Sequence, residues 1–180
     1  MLAGVGVVAI VAAAWLLFLG TTAVEPTLIP SLPTSAIGSG EDAVGVAADG
    51  ALLTWQPPPK EATLPQLPLS EPPKSGRLAG SMLEQARVLG GAPAPIRRCI
   101  AGSSYGESGV DVAMRSGIEL GFGDASRLGE KWRAAVAVLA NPSITVLDYV
   151  DLHSPGRPAV GGEGHALPPA EEAPGGGCGS

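Results

Sequence analysis

The stretch that decides the fold is Val110-Asp111-Val112-Ala113-Met114-Arg115-Ser116-Gly117-Ile118-Glu119-Leu120-Gly121-Phe122. Val110, Val112 and Met114 alternate with polar or small residues, and so do Ile118, Leu120 and Phe122. A period of two puts each apolar set on one side of a strand, because successive strand side chains point to opposite faces. Arg115-Ser116-Gly117 separates the two runs and supplies the turn. The stretch therefore reads as an antiparallel hairpin with one apolar and one polar face.

Downstream the period changes. Leu128, Trp132, Ala135, Val136 and Leu139 form a helical stripe, which predicts a helix over about 126–140 with Asp124 as a cap. Asn141-Pro142 stops it. Residues 144–152 read as a strand, with Ile144, Val146, Asp148, Val150 and Leu152 on one side, and Ala159-Val160 as a last short strand. From Gly161 onward, small and polar residues predict disorder.

Upstream, residues 76–89 read as a helix with Leu78, Met82, Leu83, Ala86 and Leu89 on one face, Ser75 as its cap and Gly90-Gly91 as its end. Residues 96–100 read as a strand, and the seven prolines of 56–74 as an extended surface loop. Asp49-Gly50 joins two apolar runs, 43–48 and 51–55, in a hairpin whose two central residues would both take positive φ. Residues 21–42, with Pro26, Pro30 and Pro33, are linker-like.

The first twenty residues, Met1 to Gly20, hold no charged, hydroxyl or amide side chain. At about 1.5 Å per residue, a helix of that length spans the roughly 30 Å hydrocarbon core of a bilayer. Trp15 and Phe18 stand near its far end, where aromatics meet the interface. A cleaved signal peptide is the competing reading, but no basic residue precedes the apolar run. The missing basic flank points to a cytoplasmic tail upstream of Met1.

The fold class expected is thus α+β: one N-terminal transmembrane helix (1–20), a linker (21–42), a mainly antiparallel sheet with two helices packed on it (43–160), and a disordered tail (161–180). The formal net charge of −6 argues against nucleic acid, whose phosphates need clustered Lys and Arg. Two cysteines, Cys99 and Cys178, are too few for a disulfide framework, and neither CxxC nor HExxH spacing occurs. No metal, cofactor or small-molecule substrate is expected.

Gly102-Ser103-Ser104-Tyr105-Gly106 matches G-x-S-x-G, with Asp148, Asp151, His153 and His165 following in hydrolase order. That chemistry needs a strand before the serine and a helix directly after it. Glu107-Ser108-Gly109-Val110 leads into a strand instead. A secreted or anchored serine hydrolase is therefore the rival reading, and the chain is not expected to be an enzyme.

Several segments resemble the C-terminal β domain of the bacterial cell-division family FtsQ/DivIB. They are Val46-Ala47-Ala48-Asp49-Gly50, Leu64-Pro65-Gln66-Leu67, Gly117-Ile118-Glu119-Leu120-Gly121, Leu128-Gly129-Glu130-Lys131 with Val138-Leu139, and Tyr149-Val150-Asp151-Leu152-His153-Ser154-Pro155. The resemblance covers about 43–160. It implies a non-catalytic membrane scaffold of the division septum, single-pass in the cell membrane, with its domain outside the cytoplasm. It also implies that the domain takes up FtsB/FtsL-like divisome membrane proteins along its terminal strands. The partner-binding residues expected are Tyr149, Val150, Asp151, Leu152 and His153, together with Pro158, Ala159 and Val160. The family carries a POTRA domain before its β domain, and residues 21–42 cannot hold one. Loss of that domain, a truncated or misspliced reading frame, and a partial resemblance all remain open, as does a non-functional remnant of a longer gene.

Overall fold

A computed structural model of the chain describes residues 32–54 and 64–167. Strands β1 (Ser35–Ile37), β2 (Val44–Val46) and β3 (Leu52–Leu53) form an antiparallel meander. A second meander is made by β4 (Ile100–Gly106), β5 (Gly109–Met114) and β6 (Glu119–Gly123). Strand β7 (Tyr149–Asp151) lies parallel to β6, and β8 (Ala159–Gly161) antiparallel to β7.

Residues 64–67 join the two meanders. Ala36 N–H donates to the Pro65 carbonyl and Leu67 N–H to the Ala36 carbonyl, both at 2.9 Å. On the other side Gln66 N–H donates to the Ala101 carbonyl at 2.9 Å, and Ser103 N–H to the Gln66 carbonyl at 3.3 Å. One sheet therefore runs without a break from β3 to β8.

Among the described residues there are three α-helices, α1 (Gly80–Gly90), the single turn α2 (Ala94–Arg97) and α3 (Leu128–Leu139), and one 3-10 turn at Gly40–Asp42. Helix α1 lies on β1, β4 and β5. Trp132 fastens α3 beside it. Its indole N–H donates to the Val88 carbonyl at 2.9 Å, and its ring centroid stands 4.6 Å from that of Phe122. Aromatic pairs at that spacing stabilise beyond simple burial. Beneath both helices, Val110, Val112, Leu120, Phe122 and Val150 fill the core.

The deciding hairpin forms where expected. Val110, Val112, Met114, Ile118, Leu120 and Phe122 are all buried, and Gly117 turns the chain at φ +92°. The Asp49-Gly50 hairpin also forms, with different turn chemistry. Gly50 alone takes positive φ, Gly50 N–H bonds to the Ala47 carbonyl, and the Asp49 carboxylate accepts the Ala51 N–H.

Other boundaries move for physical reasons. Helix α1 starts at Gly80 rather than Gly76, because residues 76–78 are drawn into the sheet edge. Leu52 N–H donates to the Gly76 carbonyl and Leu78 N–H to the Gly50 carbonyl. Ser75 does not cap the helix; its hydroxyl donates to the Arg77 carbonyl. Residues 96–100 are not a strand, since Pro93 and Pro95 start α2 and β4 begins only at Ile100. Asp124 does not cap α3, whose N-cap is Arg127 in the left-handed region. On α3, Val136 is 39% exposed, while Lys131 and Val138 take buried positions. The strand over 144–152 contracts to Tyr149–Asp151, and its alternation breaks so that Leu147, Val150 and Leu152 are all buried. Strand β1 lies inside the stretch read as linker, and residues 161–167 are ordered rather than loose.

The fold class also needs correcting at its N-terminus. Among the described residues no helix is long and apolar enough to cross a membrane, the longest being the twelve residues of α3. The span read over 1–20 lies outside the described residues. Cys99 is not a free thiol, and Cys178 lies outside the described residues.

The junction at Gln66 tolerates no side chain opposite it. A Cβ at Gly102 would stand 2.6 Å from the Gln66 carbonyl oxygen. Gly102→Ala is expected to destabilise the domain by about 1–3 kcal/mol, the usual penalty of overpacking. A fall in the urea midpoint at unchanged slope would show it, and an unchanged midpoint would refute the tight junction.

Candidate partner-binding edge

A continuous sheet has two outer edges. On the β3 side the chain covers its own edge, for Ala51 and Arg77 pair antiparallel and residues 76–78 bond to 50–52. On the other side stands β8, the last strand of the order β4-β5-β6-β7-β8.

The residues expected to bind a partner fall into two sets. Tyr149, Val150 and Asp151 lie in β7, flanked by β6 on one side and β8 on the other, so they do not form an edge. Val150 and Leu152 are fully buried in the core. Asp151 and His153 are exposed and bonded to each other. Pro158 precedes β8, and Ala159 and Val160 belong to it. The candidate edge is thus 158–161, and the reading of 149–153 as edge is corrected. The parallel pairing of β7 with β6 encloses it.

Register shows which backbone groups remain outward. Glu119 N–H donates to the Asp148 carbonyl, and Leu152 N–H to the Gly121 carbonyl. The Asp148 carbonyl, the backbone groups of Val150 and the Leu152 N–H therefore turn toward β6, while the Asp148 N–H donates the other way, to the Gly161 carbonyl at 2.8 Å. Tyr149 and Asp151 turn theirs toward Gly161 and Ala159, their partners in β8. Along β8 the alternation then leaves the N–H and C=O of Val160 directed away from the sheet. Pro158, two residues earlier, offers a carbonyl and no donor. The Val160 side chain is 43% exposed on the core side of the sheet, level with Val150. Tyr149 is 48% exposed on the opposite face and covers Gly161, where an added Cβ would stand 2.7 Å from its hydroxyl.

Past β8 lies a device that the sequence reading missed. Residues 162–164 bulge outward around the Asp148 carboxylate. One of its oxygens accepts the Gly164 N–H at 3.0 Å and meets His165 Nδ1 at 2.8 Å, and the other accepts the Glu163 N–H at 3.2 Å. Beyond the bulge, Leu147 N–H donates to the His165 carbonyl and Leu167 N–H to the Thr145 carbonyl. The outer row of chain therefore continues to Leu167. The signal was the spacing of Gly161, Gly162 and Gly164 before His165, which suits a bulge as well as a loose tail.

Lys131 acts within the fold. Its buried amine donates to the Phe122 and Asp124 carbonyls and to the Asp124 carboxylate, at 2.8, 3.0 and 2.8 Å. The Lys131 hydrogen bond, with those from Ser126, holds the Asp124 carboxyl well below the usual carboxylate range. This clamp fixes the end of β6 against the start of α3.

The hydrolase-like residues are placed apart in role. Ser104 sits inside β4, opposite Asp111 of β5, and the strand runs on into a turn rather than a helix. His153 bonds Asp151 and the Ser108 carbonyl, and His165 bonds Asp148. Among the described residues no group of three or more His, Cys, Asp or Glu is arranged to hold a metal ion.

No family model matches this chain, and no curated protein matches it.

Gly162 has φ +95°, and an added Cβ would run into the Asp148 carboxylate. Gly162→Ala is expected to open the bulge at a cost of about 1–3 kcal/mol. Amide exchange at Leu147 and Leu167 would then quicken severalfold while that at Val112 stays slow. Unchanged exchange at Leu147 would refute the role given to the bulge.

Proposed function

We propose that this domain is a protein-binding module of the bacterial division septum, which takes up a segment of a partner membrane protein beside β8. The single observation that carries this reading is the asymmetry of the sheet. One edge is covered by residues 76–78, and the other presents Val160 with an outward donor and acceptor. An incoming extended segment gains hydrogen bonds there at little cost, and the exposed Val160 and Tyr149 offer it apolar area. The resemblance to the FtsQ/DivIB β domain supplies the partner class, FtsB/FtsL-like proteins outside the cytoplasm. No covalent chemistry is assigned to the domain.

The test uses the full chain as bait for an FtsB–FtsL pair, beside a Val160→Pro variant that removes the outward N–H. Circular dichroism confirms that both are folded. Capture by the native chain and at least tenfold weaker capture by the variant are expected. Equal capture by both would move the seat away from β8. Absence of capture by a folded native chain would end the divisome reading.

A further inference from the structure

His153 follows β7 and stands on the exposed side of the sheet, away from the helices. Its Nδ1 lies 2.6 Å from an Asp151 carboxylate oxygen, and its Nε2 lies 3.1 Å from the Ser108 carbonyl oxygen in the β4–β5 turn. Both neighbours are acceptors only. A neutral imidazole carries one N–H and one lone pair, so it would set a lone pair against one of these oxygens. Only the imidazolium satisfies both contacts as a donor. The ring also has a shaped seat, for a Cβ at Gly123, which has φ +68°, would stand 2.6 Å from the His153 ring.

We propose that His153 is a pH-sensitive staple: doubly protonated, it fastens the β4–β5 turn to the end of β7, and it releases that turn when the ring loses a proton. This inference does not depend on the partner reading.

The charged groups around the ring favour the imidazolium. Asp151, on the same segment, bonds it directly, and Asp111 reaches it from β5. Lys131 of α3 opposes it, but that amine is committed to Asp124 and Phe122. The Asp151 hydrogen bond, and then the Ser108 carbonyl, raise the His153 pKa above the ordinary histidine value. Hydrogen bonds from His153 in turn lower the Asp151 pKa. Burial raises the Asp111 carboxyl and His153 pulls it back.

Because the folded-state value is raised, the staple contributes fully below the unfolded histidine value of about 6.5. Its contribution is lost as pH rises through the folded-state value. Both partners are about half exposed, so solvent screens the pair and the effect is local rather than global. Asp151 sets the acid limit, since the pair weakens again as pH falls through its lowered value.

The test is a nitrogen-15 NMR titration of the full chain. The chain has two histidines, and His153→Gln identifies the His153 signals by their loss. Both His153 nitrogens should carry protons at pH 6, with a midpoint above 6.5. Amide protection at Glu107–Gly109, corrected for intrinsic exchange, should fall severalfold through the same midpoint. Asp151→Asn should lower that midpoint, and His153→Gln should abolish the pH dependence of the turn. A midpoint at or below 6.5, a single neutral tautomer at pH 6, or turn protection that ignores the titration would each overturn the proposal.

Discussion

The backbone of Gln66 is bonded on both sides, to Ala36 through its neighbours and to Ala101 and Ser103 directly. Without that row, β1–β3 and β4–β8 would be separate sheets, each with an additional bare edge. With it, residues 64–67 run as a single extended segment through the middle of the sheet. Gly102 is the condition for this approach, since any side chain there would meet the Gln66 carbonyl. Ala101 is the irregular residue between the Ile100 and Gly102 pairings, and the bulge lets β4 accept two different neighbours.

From this constraint follows the inequality of the two edges. Bare strand edges invite uncontrolled pairing, and a chain protects the ones it does not use. Here residues 76–78 cover β3 before α1 begins. At the other end only a thin line of backbone is offered, with Pro158 withholding a donor and the 162–164 bulge interrupting the row. An edge so short gives few main-chain hydrogen bonds, so a bound segment must draw much of its affinity from side chains such as Val160 and Tyr149. That favours selectivity over indiscriminate strand addition.

The hairpin over Val110–Phe122 was legible because its two-residue period and its Gly117 turn agree with each other. The stripe of α3 was legible except at its two borders. At about 100° per residue Val136 and Val138 stand on opposite sides of it, and tertiary contact turned the buried face toward Val138 and Lys131 and away from Val136. Residues 76–78 and 35–37 were not legible, because each gains its structure from distant chain rather than from local pattern. The edge was misplaced for the same reason. Nothing in Tyr149–Leu152 states that β6 lies parallel on one side, although the buried run Leu147, Val150, Leu152 is consistent with a strand enclosed on both flanks. The Asp148 bulge was hidden because its glycines resemble those of the tail that follows.

Native-state amide exchange across the described sheet would test its continuity and the open edge at Val160 most directly. Gln66 and Ser103 are predicted to exchange as slowly as Val112, joining both meanders in one protected unit. Val160 is predicted to exchange quickly between slow neighbours at Ala159 and Gly161. Fast exchange at Gln66, or a protected Val160 in the unpartnered chain, would contradict this arrangement.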